Sequence, residues 1–264
     1  MTEDQVISFL AKKWESSGVK KGDVLLVHSS LKRILKKASD ELKTAVTPSM
    51  VYESLVKSVG EEGTLILPLF NFDFPKSKFF DINKTPSHMG VLTEIARNHK
   101  DSIRTGHPIY SFAIRGKHAN KFKNVDNECG YGADSPFAII QQLKGKIASI
   151  GLTDQNSMTS YHYVEECNKV NYRYLKEFEG GYIDRNGIKS NKIYKLFVRK
   201  IEEGIQTDVD RAMDLLWEKQ LYQGDKYNEG YGMRTILFHD FFNEIDKIIK
   251  DGKAINYLYS INKE

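Results

Sequence analysis

The chain has 264 residues, 40% of them hydrophobic and 28% charged, the composition of a globular enzyme with ample material for a core. The first twenty residues, MTEDQVISFLAKKWESSGVK, carry no secretory h-region, and no apolar run approaches the roughly 20 residues needed to span a bilayer. Net charge is only +4, with basic residues dispersed rather than gathered in a nucleic-acid stripe, and the two cysteines, Cys129 and Cys167, are too few for a disulfide framework and lack metal-type spacing. The expectation is a cytoplasmic protein with reduced thiols that binds neither nucleic acid nor membrane.

Thr2-Glu3-Asp4-Gln5 reads as a capping box, followed by Val6, Phe9, Leu10 and Trp14 at helical spacing up to Gly18. Asp23 to His28 is a near-continuous apolar run, as in a strand buried on both faces. Thr47-Pro48 opens a second helix, and Thr64 to Pro68 is another buried strand. Residues 71–87 are aromatic and turn-rich, long for a connection and therefore expected to be functional. A helix is predicted over Gly90–Asn98, a strand over Ile109–Arg115, a helix over Ser135–Leu143, and a strand from Lys146 to Gly151. Alternating strands and helices to about residue 170 predict an α/β fold with a mostly parallel central sheet and flanking helices. Beyond that, Asn186-Gly187 between two β-rich runs signals an antiparallel hairpin, with helices near Asp208–Leu221 and Phe238–Lys250. The simplest organisation is a single domain over 1–264 with a C-terminal elaboration from about 171.

The most informative stretch follows Gly151. A short apolar strand that stops at a glycine and feeds a helix is where α/β proteins place chemistry. With 157–168 helical, Thr159, His162 and Glu165 share one side, and an imidazole beside a carboxylate is the composition of an oriented general base. Histidine and glutamate scattered on a solvated helix face is the plainer alternative. His28, Ser29 and Ser30 sit at the carboxyl end of the first strand, where a serine also serves as a helix N-cap. His107-Pro108 with Ser111, and the glycine loop Cys129–Pro136, are weak signals taken singly. No Gly-x-Ser-x-Gly elbow, Walker loop or His-Glu-x-x-His occurs, and no metal site is expected.

Taken in order, these segments resemble the aminoglycoside 3-N-acetyltransferase family over roughly residues 20–170. The likeness runs through Gly22-Asp23, His28-Ser29-Ser30-Leu31, Gly63-Thr64-Leu65 with Pro68, Phe80-Asp81, Thr85-Pro86-Ser87 and Met89-Gly90-Val91-Leu92 with Glu94 and Arg97. It continues through His107-Pro108 with Ser111, Gly132 with Ser135-Pro136, Gly145-Lys146 and Gly151, and closes on Thr159, His162 and Glu165.

The resemblance implies a non-GNAT acetyltransferase fold and direct acyl transfer from acetyl-CoA, or another acyl-CoA, to an amine, without a metal. His162 then acts as general base, Glu165 orients it and Thr159 positions the reacting group. The implied coenzyme contacts are His28, Ser29, Ser30, His107 and Ser111; those on the acceptor side are Asp73, Asp81, Thr85 and Glu94. The net basic charge and Lys76, Lys78 and Lys84 of the 71–88 loop favour a nucleotide-linked amino sugar as acceptor over a polycationic aminoglycoside. The aminoglycoside remains the alternative, followed by a non-catalytic nucleotide- or sugar-binding relative and a His-Glu thioester hydrolase. A homodimer is compatible with the C-terminal aromatics.

Overall fold

The computed structural model describes residues 1–262. Its elements, in chain order, are α1 (Glu3–Ser16), β1 (Val24–Ser29), α2 (Lys32–Leu42), α3 (Pro48–Val59), β2 (Thr64–Pro68), α4 (Phe74–Ser77), β3 (Phe79–Asp81), α5 (Val91–Asn98), β4 (Ile103–Arg104), β5 (Phe112–Gly116), α6 (Pro136–Gln142), β6 (Lys146–Ile150) and α7 (Ser160–Cys167). Then come β7 (Arg173–Ile183), β8 (Lys189–Arg199), β9 (Ile205–Thr207), α8 (Asp210–Glu218), β10 (Gln223–Gly224), β11 (Met233–Leu237), α9 (Phe238–Lys250) and β12 (Tyr259–Ile261).

Seven strands form the central sheet in the order β10-β11-β6-β1-β2-β5-β4. The parallel centre is β6-β1-β2, in the register Leu26↔Ile147 and Leu26↔Ile66. Antiparallel strands flank it on both sides, β5 on β2 and β11 on β6. The apolar runs are explained by this position: β1 is covered on both faces, so Val24 and Leu26 enter one core cluster while Leu25 and Val27 enter the other. On one side α1, α3 and α5 pack through Val6, Leu10, Trp14, Val51 and Leu92. The buried Trp14 satisfies its indole N–H on Ser54 Oγ at 2.7 Å, as a core tryptophan must. The other face receives α6, α7, α8 and α9 through Phe137, Val164, Leu216, Phe241 and Ile245.

Local signals explain the helix starts. Thr2 and Gln5 form the reciprocal cap expected, and Thr47 caps α3 with Pro48 in its first turn. Neither Ser29 nor Ser30 caps a helix: α2 begins after Leu31 with no side-chain cap, and it is held by Ile34 and Ala38 in the core. That helix carries no clear sequence signal because its apolar face is only a thin line among lysines.

The antiparallel pair is longer than the Asn-Gly signal suggests. β7 and β8 pair over eleven residues each, joined through 184–188 by Asp184 Oδ1, which accepts the N–H groups of Asn186 and Ile188. In the C-terminal third, β10 and β11 extend the central sheet and β11 contributes Met233 and Ile236 to its two cores.

Candidate active site

Strands β1 and β6 lie side by side and parallel, and the chain leaves β1 toward α2 on one face of the sheet and β6 toward α7 on the other, so a crevice opens at their carboxyl ends. A cavity of about 360 Å³ occupies it, lined among others by His28, Ser29, Phe70, Asp154, Thr159 and His162. Gly151 makes the crevice possible. Its φ of +65° turns the chain sharply off β6, and a Cβ there would lie 2.8 Å from the Ser30 carbonyl oxygen. A second cavity of about 310 Å³ opens toward β7 and β8, lined among others by Tyr110, Tyr131, Phe197 and Arg199. His162 and Thr207 line both cavities.

Helix α7 holds His162 and Glu165 one turn apart, and His162 Nδ1 lies 2.8 Å from Glu165 Oε2. A carboxylate can only accept, so Nδ1 carries the proton and Nε2 keeps its lone pair. The carboxylate is buried and also pairs with Arg173 Nε of β7 at 2.7 Å. Burial alone would raise the Glu165 pKa, but Arg173 and the His162 bond outweigh it and hold the carboxyl below the usual range. For His162, burial first and the Arg173 charge second push the imidazole below its ordinary value, against the pull of Glu165. The ring is therefore neutral at pH 7, Nε2 is bonded to none of the described residues, and His162 lines both cavities, the state a general base requires. Tyr131 packs edge-on against it, ring centroids 5.4 Å apart.

His28 is buried at the floor of the first cavity with Nε2 unpartnered among the described residues. Burial, then the charge of Arg234, drives its pKa down to about 3, so the ring is neutral at pH 7. Behind it Asp154 accepts the hydroxyls of Tyr161 (2.7 Å) and Tyr222 (2.6 Å) and pairs with Arg234. This buried network fixes the loop after Gly151. No sequence signal reveals it, because its members are scattered from residue 154 to 234 and no local spacing links them.

The expected site residues divide by position. Thr159, His162, Ser29 and His28 line the first cavity, with Glu165 directly behind His162. Ser30 lies beneath Gly151, its N–H on the Ile150 carbonyl at 2.8 Å. His107 is fully buried, its Nδ1 accepting from the backbone of Ile109 (3.2 Å) and Tyr110 (3.0 Å). Ser111 receives Arg104 Nε at 3.1 Å.

Among the expected acceptor contacts, Asp81 caps its own turn through Asn83 and Lys84, while Thr85 Oγ1 accepts the Asp81 N–H at 2.9 Å. Glu94 is bound bidentate by Arg97 at 2.8 and 2.7 Å and receives the Ser87 N–H. Asp73 is exposed beside His88 Nε2 at 3.1 Å, next to the cavity-lining Phe72. Ser30, His107, Ser111, Asp81, Thr85 and Glu94 thus line neither cavity, and all but Ser30 commit side-chain atoms to holding the backbone that frames the site. Asp73 does not line them either.

Cys129 donates to Glu166 at 3.0 Å, and burial pushes its thiol up to about 12, far from a thiolate nucleophile. Among the described residues, no group of His, Cys, Asp and Glu is arranged to hold a metal, and no helix is long and apolar enough to cross a membrane.

The chain resembles known proteins in both sequence and fold. The YokD protein of Bacillus subtilis (strain 168), described as an SPbeta prophage-derived aminoglycoside N(3')-acetyltransferase-like protein, is 30% identical over 171 residues. That alignment spans 56% of this chain and 60% of the relative. The YokD crystal structure superposes with a TM-score of 0.74 at 23% identity, covering 95% of both chains. AAC-IIIb, solved as a binary complex with CoASH, gives 0.75 at 17% identity over 93% of this chain and 96% of its own. Sisomicin-bound AAC-VIa gives 0.75 at 20% identity over 93% and 98%. These structures share a mixed α/β fold that is not the GNAT fold. Residues 26–227 match the family described as aminoglycoside 3-N-acetyltransferase, most of the chain, and the protein belongs to that family.

Proposed function

We propose that this protein is an acyl-CoA-dependent N-acyltransferase in which His162 is the general base. The observation that carries the reading is the His162 ring, lining both cavities, neutral and tethered through Nδ1 to an ionised Glu165, with Nε2 bonded to none of the described residues. One cavity suits the acyl-thioester arm and the other the amine, so donor and acceptor can be held together. The amine nitrogen attacks the thioester carbonyl carbon as His162 Nε2 takes an amine proton. The C–S bond then breaks, and the coenzyme leaves as a thiol or thiolate. Glu165 stabilises the imidazolium that forms, and Arg173 keeps Glu165 ionised for that role. His28, neutral and buried with a free ring nitrogen, supports a polar contact to the thioester or its arm, alongside Ser29 and Thr159. No covalent enzyme intermediate is needed, which suits a site whose cysteines are not activated.

For the acceptor, the family description and the relatives' names favour an aminoglycoside. They lend no support to the nucleotide-linked amino sugar that net charge suggested, and net charge is a blunt guide to one pocket. The test is thiol release from acetyl-CoA with a panel of aminoglycosides and nucleotide-linked amino sugars. Amine-dependent release with aminoglycosides supports this reading. Release at the same rate without any amine would instead make the protein a thioester hydrolase.

A further inference from the structure

The second cavity carries a cation that the acyl-transfer chemistry does not use. Arg199 closes β8 directly opposite Arg173 in the β7–β8 register, and both arginines line the cavity. Like charges directly opposed across strands are unfavourable unless something compensates them. Arg173 is compensated by Glu165 and by bonds to the Phe197 carbonyl and Thr207. Arg199 is not. Among the described residues its side chain forms no ion pair and no hydrogen bond; the Nε atoms of both arginines are buried without a hydrogen-bond partner, but only that of Arg173 has a carboxylate within 2.7 Å.

The groups around it deepen the imbalance. Lys176 of β7 lines the same cavity, and Glu202 is the one carboxylate among its lining residues. Glu202 is exposed and within ion-pair distance of none of them. The nearby Lys200 already pairs with Glu203 at 3.1 Å. An unpaired, partly desolvated guanidinium is costly, and its planar fork matches the paired oxygens of a phosphate or carboxylate.

We propose that the cavity between His162 and the β7–β8 strands contains an anion subsite built on Arg199, with Lys176 at its rim, that takes a phosphate or carboxylate group of a ligand. Two sources offer that chemistry: a phosphate of the coenzyme, or an anionic substituent on the amine acceptor. Which source applies rests on the acyl-transfer reading; the subsite itself does not. A polycationic acceptor is compatible with the first source, because the coenzyme's charge would then neutralise Arg199. An acceptor that supplies the anion itself would be selected over a polycation by the same guanidinium.

The probe is inorganic phosphate, and the reporter is the His162 ring, followed by NMR on histidine-labelled protein. Because His162 lines the same cavity, an anion on Arg199 shifts its resonances saturably. The expected result is a saturable shift in the wild type that needs at least about tenfold more phosphate in Arg199→Gln, the scale of one lost charge-assisted bond, while Arg199→Lys keeps part of the affinity. Circular dichroism checks that the variants fold. No shift in the wild type, or an equal one in Arg199→Gln, overturns the subsite.

Repeating the titration after saturation with coenzyme A or with pantetheine separates the sources. Loss of the phosphate response with coenzyme A alone assigns the subsite to a coenzyme phosphate, whereas persistence with both assigns it to the acceptor. Loss with both means that the arm itself fills this cavity, which overturns the proposal. Thiol release measured on the same samples keeps the two claims apart. Absence of turnover with phosphate still bound would sink the acyl-transfer reading and leave the subsite standing.

Discussion

Replacing Glu165 by glutamine keeps the shape of the side chain and removes its charge. The carboxylate has two partners at one oxygen, His162 Nδ1 at 2.8 Å and Arg173 Nε at 2.7 Å, and all three groups are largely withdrawn from water. Without it Arg173 becomes a buried guanidinium with no counter-charge, a change that costs about 3–5 kcal/mol of stability. In the proposed mechanism the imidazolium formed as the amine loses its proton is also deprived of a charge-assisted hydrogen bond. That bond is worth about 1.5–3 kcal/mol, so turnover should fall about ten- to a hundredfold.

These two effects separate in the double variant Glu165→Gln/Arg173→Met, which removes both charges of the pair. Melting should recover most of the lost stability, while thiol release from acetyl-CoA stays at the low level of the single variant. Turnover within about twofold of wild type in a folded Glu165→Gln protein would refute the assigned role. So would a double variant that regains activity together with stability, because Glu165 would then only hold the fold.

The buried histidines make stability depend on pH. Burial holds His28 at about 3 and His107 at about 4, both below the ordinary 6.5. Each is neutral when folded and takes up a proton when unfolded, so its contribution to stability is full above 6.5 and is lost as pH falls toward the folded value. At about pH 4.5 the two together should cost on the order of 5 kcal/mol, read as a falling melting temperature that His107→Gln makes less steep; a slope unchanged in that variant would contradict the role of burial. Asp154→Asn leaves Arg234 buried and unpaired and should cost about 3–5 kcal/mol in denaturant unfolding. Gly151→Ala forces a left-handed φ and a contact with the Ser30 carbonyl, about 1–3 kcal/mol of strain at the turn that frames the first cavity. It should raise KM for acetyl-CoA in protein that still folds, and an unchanged KM would place the coenzyme elsewhere.

The features legible in the sequence are local or periodic. The His162–Glu165 pair is visible because three residues on a helix is one turn, and β1 and β2 because a strand covered on both faces needs an unbroken apolar run. Arg173 and Arg234 are invisible as site residues because topology alone brings them to Glu165 and Asp154 from β7 and β11. Residues of the family-like motifs such as Ser111, Thr85 and Glu94 illustrate a different limit. A motif records that a polar group is needed, but the group holds a loop through Arg104, Asp81 or Arg97 as readily as it holds a ligand. Net charge points toward an anionic acceptor, yet a single uncompensated Arg199 says more about this site than the sum of 39 Lys and Arg residues over the whole chain.

His162 as the base is the centre of the mechanism, and its most direct test is amine-dependent thiol release from acetyl-CoA by the wild type and His162→Asn across pH, with coenzyme binding measured in parallel. Loss of at least about a hundredfold in turnover with coenzyme binding intact is expected. The wild-type rate should also fall on acidification with a midpoint below the ordinary histidine value, because burial and Arg173 hold the ring neutral. A His162→Asn protein that turns over near the wild-type rate, or a wild-type profile flat through the acid range, would contradict it.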